Sequence, residues 1–116
     1  MALRKLVERI TKPVEERDRE DLEAYCEGLD CKRLDELQPR KAVRVAGEIR
    51  SVRIVPRAGA PALEVVIHDG RGALTAVFLG RRKILGISPG RRLILEGVVA
   101  IAGRNLQMFN PIYRLL

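Results

Sequence analysis

Arginine dominates the residues of this chain that could do chemistry. Fourteen basic residues lie between positions 40 and 116, and twelve of them are arginine. A guanidinium can donate two parallel hydrogen bonds to a phosphate and can stack on a flat ring, whereas a lysine ammonium is a point charge. The candidates for such contacts are Arg44, Arg50, Arg53, Arg57, Arg71, Arg81, Arg82, Lys83 and Arg104.

The positive charge is confined to one part of the chain. The formal net charge of the 116 residues is +7. Residues 1–39 carry eight basic and eleven acidic side chains, a net of −3, whereas residues 40–116 carry fourteen basic and four acidic ones, a net of +10. Two interpretations are open: this region contacts a polyanion, or it is a solvated, highly charged surface.

The residue types needed for catalysis or metal binding are scarce. A structural metal site commonly needs four ligands at close spacing, and Cys26, Cys31 and the distant His68 do not provide them. His68 and Asp69 are neighbours in a strand pattern, so their side chains are expected on opposite faces. We therefore expect no metal, no cofactor and no enzymatic activity.

The acidic residues of the basic region have simpler predicted roles. Asp69 is expected to cap the turn in which it lies. Glu64 and Glu96 are expected to pair with neighbouring arginines.

The first 38 residues are predicted to form a helical extension. Apolar residues at helical spacing predict a first helix that ends near Lys12, because Pro13 interrupts the pattern. Good helix formers predict a second helix over Glu15–Glu27, with Gly28 as a left-handed stop. A short turn is expected at Leu34–Leu37. The helices are expected to pack against the open end of the domain that follows, and their acidic residues could shield its cationic face.

From Lys41 the apolar period changes to two, which is typical of strands. Gly47 lies within the first strand, where a bulge or sharp bend is expected. The sequence Asp69-Gly70-Arg71-Gly72 predicts a tight hairpin between the second and third strands. The five predicted strands are Ala42–Val55, Leu63–His68, Ala73–Leu79, Arg91–Ile101 and Asn105–Tyr113.

The order of these elements predicts a mainly β fold with N-terminal helices. A long bent strand, a hairpin, a linking segment and a second hairpin are the order of a five-stranded Greek-key OB-fold barrel, here residues 39–116. The linking segment, Gly80–Ile87, has room for one or two helical turns. An SH3-like small barrel is the alternative, although it usually lacks such a segment.

Three stretches resemble the OB-fold nucleic-acid-binding family: Asp69–Gly80, Pro89–Gly97 and Gln107–Pro111. The similarity covers roughly residues 34–116 and is closest to the wedge domain of RecG-type helicases and to small stand-alone actinobacterial OB-fold proteins. The resemblance implies contact with branched DNA and an aromatic residue that stacks at the junction, for which Phe78 is the nearest counterpart. The helicase motor motifs are missing from this sequence, so helicase activity is not implied.

Together these features predict a non-catalytic protein that binds single-stranded or branched DNA, or RNA, through arginine contacts to phosphate. The chain lacks an apolar run long enough to span a membrane and begins without a secretion signal, so a cytoplasmic location is expected. The alternative is a protein-interaction or oligomerisation module, in which the helices bind a partner or a second copy.

Overall fold

A computed structural model describes residues 14–116, which are mainly β with one helix on the N-terminal side. The predicted first helix, ending near Lys12, lies outside the described residues. The helix, α1, spans Val14–Glu27, and a 3-10 turn spans Leu34–Glu36. The six strands are β1 Ala42–Arg57, β2 Ala60–His68, β3 Ala73–Leu79, β4 Arg92–Ala102, β5 Asn105–Phe109 and β6 Ile112–Leu115.

The strands form one sheet whose pairings return to the first strand. β1 pairs with β2, β2 with β3, β3 with β5 and β5 with β4, and β4 pairs again with β1. Every pairing is antiparallel except that of β3 with β5. β6 pairs with residues 93–96 of β4, on the side of β4 opposite to β1.

β1 is long enough to serve two partners because it bends. Its first half pairs with β4 and its second half with β2, and the register shifts between Ile49 and Ser51. Gly47 lies in the bend region, where a Cβ atom would come within 2.9 Å of the His68 carbonyl oxygen. The predicted irregularity is therefore present: Gly47 permits the close approach, and the bulge follows at Arg50.

The core is almost entirely aliphatic, as the scarcity of aromatic residues requires. Val45, Val65, Ile67, Leu95 and Met108 are completely buried between the strands. Burial of each such side chain contributes roughly 1.5–3 kcal/mol relative to exposure, so packing within this cluster is the main source of stability.

The predicted hairpin between β2 and β3 is confirmed, and Asp69 caps it. One Asp69 carboxylate oxygen accepts hydrogen bonds from the backbone N–H groups of Arg71 and Gly72, each at 2.9 Å. The other oxygen accepts the N–H of Leu34, also at 2.9 Å. Asp69 therefore joins this turn to the 3-10 turn as well as closing it.

The structure differs from the predicted strands and connecting segments in three places. The predicted fifth strand is divided at Asn110, whose φ is 46° and whose N–H donates to the Val77 carbonyl at 2.8 Å. The segment between β3 and β4 contains no helical turn, although Ile84 and Ile87 are buried. The loop between β1 and β2 is only a two-residue turn, because both strands continue through their prolines.

α1 packs against the side of β1 and β4 that faces away from the main core, and it also approaches the β2–β3 turn, where a Cβ atom on Gly70 would lie 2.6 Å from the Glu23 side chain. Leu22 and Cys26 form a separate cluster with Ala46 and Ile94, which point away from the main core. Gly28 follows the helix as predicted, but its backbone is not left-handed. In residues 14–116 no helix has the length and apolarity that a membrane crossing requires.

Candidate nucleic-acid interface

The side chains of β1, β2, β3 and β5 that point away from the main core lie on one side of the sheet, named here the outer face. Residues directly opposite on neighbouring strands share a face. Arg53 lies opposite Glu64, Glu64 opposite Val77 and Val77 opposite Phe109. These four residues therefore make one row across the middle of the outer face, in which Arg53 and Phe109 are exposed and Glu64 and Val77 are buried.

Phe109 supplies an exposed aromatic ring at one end of this row. Its side chain ends β5 and is 42% exposed. The guanidinium carbon of Arg57 lies 5.6 Å from the centre of the ring, within the range of a cation–π contact. Arg57 thus lies over one face of the ring, and both side chains remain partly exposed, Phe109 at 42% and Arg57 at 34%.

Glu64 links the two arginines of the face. Its side chain is only 10% exposed, and its two carboxylate oxygens lie 3.3 Å from Arg53 Nη2 and 3.2 Å from Arg57 Nη2. The prediction that Glu64 pairs with neighbouring arginines is confirmed. The trio has a net charge of +1, so the middle of the face is less positive than its arginine count suggests.

A second group of cations follows β3. Arg81, Arg82 and Lys83 are all exposed. The segment begins at Gly80, whose N–H donates to the Pro61 carbonyl oxygen at 2.8 Å. Because Pro61 lies beside the turn between β1 and β2, these cations are at the same end of the sheet as Arg57.

Arg104 lies at the other end. β2 runs away from the β1–β2 turn, and the antiparallel β3 begins where β2 ends. β5 is parallel to β3, so the β4–β5 turn that precedes it is also at the far end. Arg104 is exposed in this turn, and the outer face lies between it and Arg57.

Two of the predicted arginines lie away from the outer face. Arg44 pairs with Glu96 at 3.5 Å, and each lies two residues along its strand from the residues that α1 covers, Ala46 and Ile94. That contact confirms the predicted pairing of Glu96. Arg50 is exposed at the bulge and lines a cleft of about 840 Å³ between α1 and the sheet, together with Glu48 and His68.

Arg71 and Phe78 are poorly placed for the roles expected of them. The Arg71 guanidinium binds the Glu27 carboxylate and lies 4.0 Å from that of Glu23, and its side chain is 19% exposed. Phe78 is 5% exposed and packs edge-to-face against Tyr113, with ring centres 5.8 Å apart. The Phe78 ring belongs to the core and offers no exposed face on which a base could stack in this structure.

Burial shifts the pKa of three side chains in the direction that favours their neutral forms. Burial, followed by the nearby Arg50, lowers the pKa of His68. Burial raises the pKa of Cys26 to about 11 and also raises the pKa of Cys31. Over the described range 14–116, no group of three or more His, Cys, Asp or Glu side chains could hold a metal ion.

Phe109 is the residue that sequence reasoning did not assign to the site. The signal was present in β5, because Met108 is a long apolar residue in a strand and its neighbour must point the opposite way. Met108 is completely buried. The alternation therefore places Phe109 on the outer face.

No protein-family model matches this chain, and no curated protein matches it.

Proposed function

We propose that the chain is a non-catalytic nucleic-acid-binding protein with an OB-fold barrel. The pairing of β1 with both β2 and β4, and the parallel pairing of β3 with β5, support this fold, because a five-stranded Greek-key barrel closes in this way. The ligand is single-stranded or branched DNA, or RNA, held mainly through arginine contacts to phosphate.

The observation that carries the proposal is the composition of the outer face. An exposed ring, Phe109, lies in one row with Arg53, and Arg57 lies over the ring. Stacking of a base on such a ring is worth roughly 1–3 kcal/mol and does not depend on which base it is. The phosphates that precede and follow that base can be contacted by exposed cations at the two ends of the face: Arg81, Arg82 and Lys83 at one end and Arg104 at the other.

The resemblance to the wedge domain of RecG-type helicases is part of the same proposal. In that family an aromatic residue stacks at a DNA junction. Since Phe78 is buried, we assign this role to Phe109. Branched DNA is therefore included among the ligands to be tested.

The direct test is fluorescence anisotropy with labelled single-stranded DNA, duplex, forked DNA and RNA at several salt concentrations. Contact with about five phosphates predicts a slope of log affinity against log salt between about −3 and −5. Binding that is absent at low salt would refute the proposal.

Charge reversal separates a local interface from general attraction. Replacement of Arg81, Arg82 and Lys83 by glutamate is expected to weaken nucleic-acid binding by at least about tenfold, because several phosphate contacts are lost. A control variant carries three reversals at exposed cations outside the outer face: Lys32, Lys41 and Arg114. Equal weakening by the two variants would show that binding does not use this interface.

The second candidate function is a protein-interaction module. It is favoured by exposed apolar residues on β4 and β6, where Val98 is 55% and Ile112 is 71% exposed. A protein complex that is insensitive to salt, together with undetectable nucleic-acid binding, would support this function instead.

A further inference from the structure

The carboxylate of Glu64 has no obvious place on a surface that contacts phosphates. It lies on the outer face itself, between two arginines, and its side chain is only 10% exposed. A negative charge at that position repels phosphate and neutralises part of the attraction that the arginines provide. Its presence therefore requires a reason other than affinity for a polyanion.

The contacts of Glu64 restrain both guanidinium groups. Each of its oxygens faces a different arginine, at 3.3 Å from Arg53 and 3.2 Å from Arg57. The Nε of Arg57 is buried and makes no hydrogen bond. Arg57 is thus held over the Phe109 ring by its contact with Glu64 and by the ring itself, in spite of the cost of that unpaired donor.

The charge of the face is consequently lowest where the aromatic ring lies. Arg53, Glu64 and Arg57 together carry one net positive charge, whereas Arg81, Arg82 and Lys83 at one end make no ion pair among those found in the described part of the chain. A duplex presents phosphates to a flat surface, but a single strand also presents the faces of its bases. The middle of the outer face suits the base better than the phosphate.

We propose that Glu64 is a specificity-determining residue that makes the outer face prefer single-stranded over duplex nucleic acid. It holds Arg57 beside Phe109 for contact with a base, and it prevents Arg53 and Arg57 from acting as free phosphate ligands. This inference rests on the function proposed above.

The test compares Glu64→Gln with Glu96→Gln. Each substitution removes one negative charge that is paired with arginine, but Glu96 pairs with Arg44 away from the outer face. The measured quantity is the ratio of the duplex Kd to the single-strand Kd, for oligonucleotides of equal length at the same salt concentration. Thermal unfolding by circular dichroism shows whether each variant is folded.

We expect Glu64→Gln to lower that ratio about tenfold relative to Glu96→Gln, the size expected for loss of one charge-assisted contact. The salt slope for duplex should become steeper by about 1–2, since the two released arginines can each bind a phosphate. An equal ratio in the two variants would overturn the role of Glu64 and leave the proposed function intact. No binding by the unaltered protein would overturn both.

A second variant keeps the test decisive if Glu64→Gln does not fold. Arg57→Lys preserves the charge and removes the planar group over the ring. We expect it to weaken single-strand binding about fivefold more than it weakens duplex binding, because only the base contact uses the planar cation. Equal weakening of single-strand and duplex binding would overturn the inference.

Discussion

Replacement of Asp69 by asparagine should destabilise the protein more than any loss of a surface charge. Asp69 is 2% exposed, and its carboxylate accepts hydrogen bonds from three backbone N–H groups, those of Leu34, Arg71 and Gly72. The asparagine side chain has only one acceptor oxygen. If that oxygen keeps the two bonds within the turn, the amide NH₂ group faces the Leu34 N–H, and two donors oppose each other.

The expected cost follows from these contacts. Loss of one hydrogen bond to a charged acceptor, together with burial of an unpaired donor, amounts to about 2–4 kcal/mol. For a domain of this size, that loss corresponds to a fall in Tm of roughly 10–20 °C. The 3-10 turn should loosen first, because Leu34 contributes to the core and its N–H is tied to Asp69.

Asp35→Asn is the matched control for this experiment. It removes one negative charge from the same region, but Asp35 pairs with Arg33 on the surface, and such pairs contribute about 0–1 kcal/mol. The chain has no tryptophan, so unfolding is best followed by far-ultraviolet circular dichroism in urea and on heating. Equal stability of Asp69→Asn and Asp35→Asn would refute the reasoning.

Three further predictions concern the binding face, the helix and the buried thiol. Phe109→Ala should weaken single-strand binding by about 1–3 kcal/mol through lost stacking, whereas Ile112→Ala, at an exposed position on β6, should not change the Kd measured by anisotropy. Glu27→Gln removes one exposed partner of the arginine in the β2–β3 turn, and its cost in thermal unfolding should stay below about 1 kcal/mol; a larger loss would mean that this ion pair fastens α1 to the sheet. Because burial raises the pKa of Cys26 to about 11, a Cys31→Ser variant should react with a thiol reagent at pH 8 about 100-fold more slowly when folded than in urea. Similar rates in the two states would show that the Cys26 thiol is accessible and ionised in the folded protein.

Local patterns were sufficient to predict most of the secondary structure. The hairpin at Asp69 was predictable because its Asp and Gly residues favour the turn. The bend in β1 was predictable from Gly47, a residue without a side chain in an otherwise β-branched strand. The division between β5 and β6 was missed because Asn110 and Pro111 were included in one strand. Asn110 takes a left-handed backbone and is hydrogen-bonded to Val77 and Leu79 of β3.

The candidate site was less predictable than the strands. Sequence reasoning identified the arginines as a group, but Arg44, Arg53 and Arg71 occupy different environments. Arg53 lies on the outer face, Arg44 lies on the part of β1 that pairs with β4, and Arg71 is tied to α1. The bulge in β1 and the position of the helix separate them, and neither feature follows from the charge of the residues.

The sequence alone determined that this is a basic, mainly β chain with an acidic helical N-terminal part, because composition and alternation do not depend on how the strands pair. Only the tertiary structure decided which of the two phenylalanines is exposed. Phe78 and Phe109 both lie in strands, but the pairing of β3 with β5 puts Phe78 in the core and leaves Phe109 on the outer face. The pairing of β1 with β2 also places Glu64 between Arg53 and Arg57, and this contact depends on the register between those two strands.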